Sequence, residues 1–346
     1  MRAVTLVAHG GLEQLGVREL PEPTIQAPNQ VRVRVQAAAL NRLDLFVAAG
    51  LPGAEALVFP HVVGSDGAGL VDQVGEAVRQ FRPGDRVMIN PTLSCGECPA
   101  CLEGEHSLCD RLRVLGEHCA GTAAEYVVVP AENLAPIPPA MPWAQAAAFS
   151  LATLTAWRML VTRARLEAGE TLLIWGIGGG VALAALQIAR LIGARIIVTS
   201  GSDAKLDVAR GLGADIALNH RKTDVVAEVR RHTSGRGADV VVDSVGEQTW
   251  TGSLRALRRG GRLVVCGATT GPMVSLDLRR LFWRQWSILG STLGNRQEYA
   301  EIVRHAAEGR LWPVVDRVVP LSQALAAFER LARAEQMGKL VIEVAQ

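Results

Sequence analysis

Four cysteines stand within fifteen positions, in the stretch CGECPACLEGEHSLC at 95–109. Cys95, Cys98, Cys101 and Cys109 follow C-x2-C-x2-C-x7-C, a spacing that lets four thiolates close a tetrahedron around one zinc ion. Such a set leaves no coordination position for water or substrate, so the spacing predicts a structural zinc and not a catalytic one. Iron–sulfur chemistry is the competing use of four thiolates. Cys119 and Cys266 fall outside the pattern and read as small core residues.

A second chemical signal is WGIGGGVALAALQIA, which follows an apolar strand and opens a helix. Gly176 permits a tight turn, and Gly178, Gly179 and Gly180 keep Cβ atoms away from a pyrophosphate. Val181 and Ala182 follow, and the helix N-terminus offers free N–H groups. This context predicts dinucleotide binding. The next strand ends at Ser200, where an NAD site usually carries a carboxylate for the ribose 2′-hydroxyl. A neutral residue there removes repulsion toward a 2′-phosphate, and Ser200, Ser202 and Lys205 could bind one. NADP(H) is therefore expected to be preferred over NAD(H).

The elements that must position these groups come in two textures. The first third reads as short β-branched strands, 32–40, 67–76, 85–90 and 124–130, bounded by Gly, Pro or Asn. A proline-rich stretch, APIPPAMP at 135–142, closes it. From about 169 strands and helices alternate: strand 171–175, helix 179–193, strand 195–200, helix 202–213, strand 215–219, helix 224–235, strand 238–245, helix 249–260 and strands 262–267 and 287–292. Continuous apolar strands in strict β–α alternation predict a doubly wound parallel sheet. The tail ends in KLVIEV, a last strand at 339–344.

The 346 residues are 49% hydrophobic and 20% charged, enough for two domains with their own cores. A net charge of +2 gives no sign of a nucleic-acid partner. No apolar run reaches the ~18 residues of a membrane span, and the first residues lack a signal-peptide pattern. The expectation is a soluble cytoplasmic protein.

With these features on the page, the chain resembles the medium-chain dehydrogenase/reductase superfamily of zinc alcohol dehydrogenases and quinone oxidoreductases. The resemblance covers nearly the whole length and also rests on LNRLDLFVAAG and FPHVVGSDGAGLVDQVG. It implies an α/β protein with a GroES-like β-rich catalytic domain at 1–150, carrying a zinc lobe at 91–112. A Rossmann domain at 151–290 follows, and 291–346 returns to the catalytic domain. It also implies a small-molecule substrate and a homodimer or homotetramer pairing through the edge strand SILGST.

Zinc alcohol dehydrogenases carry a second, catalytic zinc. Its ligand positions correspond here to Asn41, Ser65 and about Leu151, none of them a good zinc donor. Their second-layer carboxylates persist as Asp44 and Asp66, and the proton-relaying hydroxyl is replaced by Leu43. The resemblance therefore points to the zinc-free reductase branch, with Asn41, Asp44, Ser65 and Asp66 as the catalytic candidates and Asn41, water or the nicotinamide ribose as the hydrogen-bond donor to the reduced acceptor. By the same resemblance Arg42 contacts the cofactor pyrophosphate and Thr155 packs on the nicotinamide. Ser244, Val245 and Gly246 line its ribose, and Cys266, Gly267 and Ala268 meet the carboxamide. His61 reads as a poor metal rescue and His118 as a surface residue, with proton donation as its alternative; Tyr126 is expected to pack in its strand. The leading expectation is hydride transfer from NADPH to a quinone or α,β-unsaturated carbonyl. An alcohol or aldehyde dehydrogenase with atypical zinc ligands and a non-catalytic NADPH sensor are the alternatives.

Overall fold

In QVRVRVQAAA, apolar and polar residues alternate through Val35, then three alanines follow. The strand Gln30–Ala39 obeys this pattern: half-buried along its length, it is buried on both faces at Ala37–Ala39, where it dives into the core. The computed structural model describes residues 1–50 and 57–345. It divides into two compact units, Met1–Ala152 with Gly294–Gln346, and Thr153–Leu293.

In the first unit, Gln30–Ala39 is central to the largest sheet among the described residues. The order is Leu134–Pro136, Arg86–Ile89, Asp66–Val74, Gln30–Ala39, Lys339–Glu343 and Val315–Pro320, with Tyr126–Pro130 also paired to Gln30–Ala39. Val31, Val33, Val35, Leu340, Ile342 and Phe328 fill the core beneath it. Register decides what comes together at its inner end. Ala39 lies opposite Asp66 on one neighbour and Val341 on the other. The next peptide continues the contact, because Leu40 N donates to Leu340 O at 2.9 Å. Three chain segments that are remote in sequence thus converge just beyond Ala39.

The second unit holds a six-stranded parallel sheet in the order Ile216–Asn219, Arg195–Ser200, Thr171–Ile174, Ala238–Asp243, Leu257–Val265 and Ser287–Gly290. This is the 3-2-1-4-5-6 order of a dinucleotide-binding sheet, with its switch point between Thr171–Ile174 and Ala238–Asp243. Both of these strands are buried throughout, as uninterrupted apolar runs require. One helix is shorter than its sequence suggests. It spans Glu247–Ala256, because the chain already pairs as a strand at Leu257, opposite Ala238. Arg258 ion-pairs there with buried Asp239, and Gly260 takes a left-handed φ of 67°. No helix among the described residues is long and apolar enough to cross a membrane.

Candidate functional site

Asn41 follows the buried end of Gln30–Ala39 and caps the helix Arg42–Ala49. Its backbone N–H donates to Asp44 Oδ2 at 2.7 Å. Its side chain is fully engaged: Nδ2 donates to Asp66 Oδ2 at 3.0 Å and to Ala39 O at 3.4 Å, and Oδ1 accepts from Lys339 Nζ at 2.5 Å. Both amide hydrogens of Asn41 are thus directed at acceptors within the protein. Asp66 is equally committed. Its Oδ2 also accepts from Lys339 Nζ at 2.9 Å, and its Oδ1 from Leu151 N at 2.8 Å.

Lys339 is the residue that sequence reading missed. It opens the strand KLVIE, and its side chain is 5% exposed against 0% for Asp66. The two form a buried ion pair beside Asn41. One signal was present in the sequence: a lysine heading an otherwise apolar strand. Single lysines are usually solvated, so that signal is weak.

Asp44 lies wholly inside. Burial pushes its carboxyl up to about 7, against the Asn41 N–H and the Lys339 charge, which pull it down. Ser65 Oγ is buried without a hydrogen-bond partner among the described residues. Leu43 packs on the core, and Leu151 contributes only its backbone. His61 is buried with Nε2 3.0 Å from Gly116 O, and burial lowers its pKa, so it is a structural residue. His118 Nδ1 accepts from Val114 N at 3.1 Å, which places it at a turn beside Glu117. Tyr126 carries Arg32 over its ring. Arg42 sits in the first helical turn, half-buried, with burial lowering its pKa.

In the cysteine lobe the four sulfurs of Cys95, Cys98, Cys101 and Cys109 all lie within 4.8 Å of one another. Backbone N–H groups already point at two of them: Cys98 N at Cys95 Sγ, and Cys95 N and Arg111 N at Cys109 Sγ, each at 3.4 Å. The Glu97 N–H, with that of Cys98, draws the Cys95 thiol down to about 6, while burial holds Cys101 at about 11. Donor type, number and spacing fit a tetrahedral zinc. Cys119 stands apart, its thiol donating to Val114 O at 3.9 Å.

The glycine turn fits a pyrophosphate. Gly176 and Gly178 adopt φ of 68° and 141°, and Gly179 is the N-cap of Gly180–Ile192, with Val181 in its first turn. No side chain caps that thirteen-residue helix, and a Cβ on Gly179 would meet nothing within 4 Å. Its first N–H groups are therefore open to an anion. Ile177 N and Gly176 N are held by Thr199 O and Oγ1, at 2.7 and 3.2 Å, which fixes the turn to the second strand. Ser200 Oγ accepts from Ser202 N at 3.2 Å, and Ser202 caps the next helix, which contains Lys205.

Val245 N and Gly246 N both donate to Asp243 Oδ1, which fixes the end of the fourth strand. Cys266 is half-buried, and desolvation pushes its thiol up to about 12. A Cβ on Gly267 would meet Ser244 O at 3.3 Å, so strand ends four and five lie close together. Thr155 is buried in the helix Ser150–Trp157.

Residues 27–139 match the family described as alcohol dehydrogenase GroES-like domain, and residues 180–308 match zinc-binding dehydrogenase. An NAD-dependent alcohol dehydrogenase of Saccharolobus solfataricus is 31% identical, with 99% of each chain covered. A quinone oxidoreductase of Homo sapiens is 28% identical over 99% of this chain and 97% of its own. Among solved structures, an NAD-dependent alcohol dehydrogenase is 47% identical over all of both chains, with a TM-score of 0.96. A thermostable alcohol dehydrogenase from Pyrobaculum aerophilum is 35% identical over 99% of both chains, with a TM-score of 0.89. The chain thus belongs to the zinc-type alcohol dehydrogenase and quinone oxidoreductase family of medium-chain dehydrogenases/reductases, and is an oxidoreductase with a nicotinamide cofactor and a structural zinc.

Proposed function

We propose that this oxidoreductase transfers hydride from NADPH to an electron-poor acceptor, a quinone or an α,β-unsaturated carbonyl, without a catalytic zinc. One observation carries the reading. At the metal-ligand positions stand Asn41, Ser65 and Leu151, and the cation seated against Asn41 and Asp66 is the ammonium of Lys339. When bound, the reduced nicotinamide supplies the hydride. The protein's part is to position and to hold charge. Asp66 anchors Asn41, Lys339 and the Leu151 backbone in one buried cluster, and Lys339 neutralises Asp66. Asp44, with its carboxyl pushed up to about 7, keeps a proton in that cluster near neutrality. A conjugated acceptor has its own delocalised sink for the incoming electrons, so it needs less electrophilic help than an alcohol or simple ketone.

The preference for NADPH rests on the neutral end of the second Rossmann strand, Ser200, with Ser202 and Lys205 following. Pairing of two copies through the edge strand Ser287–Gly290 is part of the same reading, because the adjoining helix Leu278–Arg284 exposes Leu278, Phe282 and Trp283.

The experiment combines metal analysis with NADPH oxidation across a panel of quinones and enones. One zinc per chain and turnover of the panel are expected. Two zinc ions per chain with alcohol oxidation would refute the proposal. That result is the second reading, favoured by the relatives described as NAD-dependent alcohol dehydrogenases.

A further inference from the structure

Beyond Ser200 the chain carries one carboxylate that could serve a ribose hydroxyl, Asp203, and it is already committed. Its Oδ2 pairs with Lys222 Nζ at 2.6 Å, and its Oδ1 accepts from Asn219 Nδ2 at 2.6 Å. The Lys222 contact holds its pKa below the ordinary range.

A guanidinium lies over the same turn. Strands Arg195–Ser200 and Ile216–Asn219 run side by side, with Ser200 opposite Asn219, and His220 N donates to Ser200 O at 3.1 Å. This brings Arg221 against Gly201. A Cβ on Gly201 would stand 2.6 Å from Arg221 Nε and 3.1 Å from its Cζ, so the glycine leaves the seat the guanidinium takes. Only the Arg221 backbone is tied down, its N–H donating to Asn219 Oδ1 at 3.0 Å. Among the described residues its guanidinium has no hydrogen bond and no ion pair, although Lys222 beside it has both. An exposed cation held next to a peptide turn with its five donors unspent is a receptor for an anion. In a doubly wound sheet, the carboxyl end of the second strand is where the adenosine ribose of a dinucleotide lies.

We propose that Arg221 is the specificity-determining residue for the cofactor: its guanidinium, seated over Gly201, binds the 2′-phosphate of NADP(H), with the Ser200 and Ser202 hydroxyls beside it. The inference rests on the NADPH reading given above and adds a residue that reading did not include. Lys205 lies one turn into the following helix and is not required for it.

The probes are adenosine 2′,5′-bisphosphate and 5′-AMP, titrated calorimetrically into the native protein, Arg221→Ala, Arg221→Lys and Gly201→Ala. The native protein should bind the bisphosphate on the order of 10- to 100-fold more tightly than 5′-AMP, the range of a charge-assisted pair. Arg221→Ala should lose most of that ratio with 5′-AMP affinity held within about twofold, and Arg221→Lys should restore part of it. Gly201→Ala, which displaces only the mobile end of Arg221, should lower the ratio with no change in melting temperature. If the native protein discriminates and Arg221→Ala discriminates equally, Arg221 is not the reader, and the NADPH reading stands. If the native protein does not favour the bisphosphate, both fall.

Discussion

Replacing Lys339 by methionine keeps the length of the aliphatic stem and deletes the charge. In the native protein the Lys339 and Asp66 side chains are 5% and 0% exposed, so water does not screen the pair. Removing one partner of such a buried pair costs about 3–5 kcal/mol, because the other charge is left uncompensated. Asp66 would keep two of its three donors, Leu151 N and Asn41 Nδ2, while Asn41 Oδ1 would lose its donor. The loss should therefore fall near the lower end, about 3 kcal/mol. The double variant Lys339→Met/Asp66→Asn removes both charges and keeps the side-chain shapes. It should recover most of the loss, with a coupling of about 2 kcal/mol between the two sites. Urea unfolding of native, single and double variants, followed by circular dichroism, measures this. A single-variant loss under about 1 kcal/mol, or a double variant no more stable than the single, would refute the account of Lys339 as the counter-ion of Asp66.

Asp44→Asn should change the pH dependence of stability. The folded carboxyl is raised to about 7, so between pH 4 and pH 7 the folded protein binds more protons than the unfolded chain. The stability this group contributes is full below pH 4 and drains as pH climbs through 7, by roughly 4 kcal/mol in total. The asparagine variant lacks that slope and should overtake the native protein above pH 7; parallel stability curves from pH 5 to 8 would contradict this. Cys98→Ser should abolish stoichiometric zinc and lower the melting temperature, read by metal analysis and calorimetry, because a metal-held lobe folds on its ion. Trp283 is 68% exposed and Phe282 66%. Trp283→Glu/Phe282→Glu should shift the protein toward monomer in sedimentation experiments, and an unchanged sedimentation coefficient would place the pairing surface elsewhere.

What the sequence revealed and what it hid divide along a physical line. The Rossmann unit was legible because its information is local. Parallel strands buried on both faces tend to be continuous apolar runs; TLLI is nearly one, and ADVVVD carries the run VVV between two buried aspartates. The cysteine lobe was legible because its four ligands fit on one short loop, where spacing nearly determines geometry. The helix at Glu247–Ala256 was overrun because nothing local in LRRGG tells a frayed helix end from a strand that bends at a left-handed glycine; the pairing of Leu257 with Ala238 decides it.

The reacting end of the first unit was legible only by subtraction. Asn41, Ser65 and Leu151 say which donors are missing, and they say it by residue type. What stands in their place is set by partners 298 and 273 residues apart, Lys339 with Asn41 and Lys339 with Asp66, and no periodicity links positions at that distance. Yet the constraint that finds Lys339 is elementary. A carboxylate sealed from water is stable only beside a positive charge or as the neutral acid. Asp66 has no exposure at all. The antiparallel register of Gln30–Ala39 with Lys339–Glu343 delivers the ammonium of Lys339 to that spot. Buried acid without metal ligands is thus a reason to search a chain for a lysine or arginine heading an apolar strand, and KLVIE is that strand here.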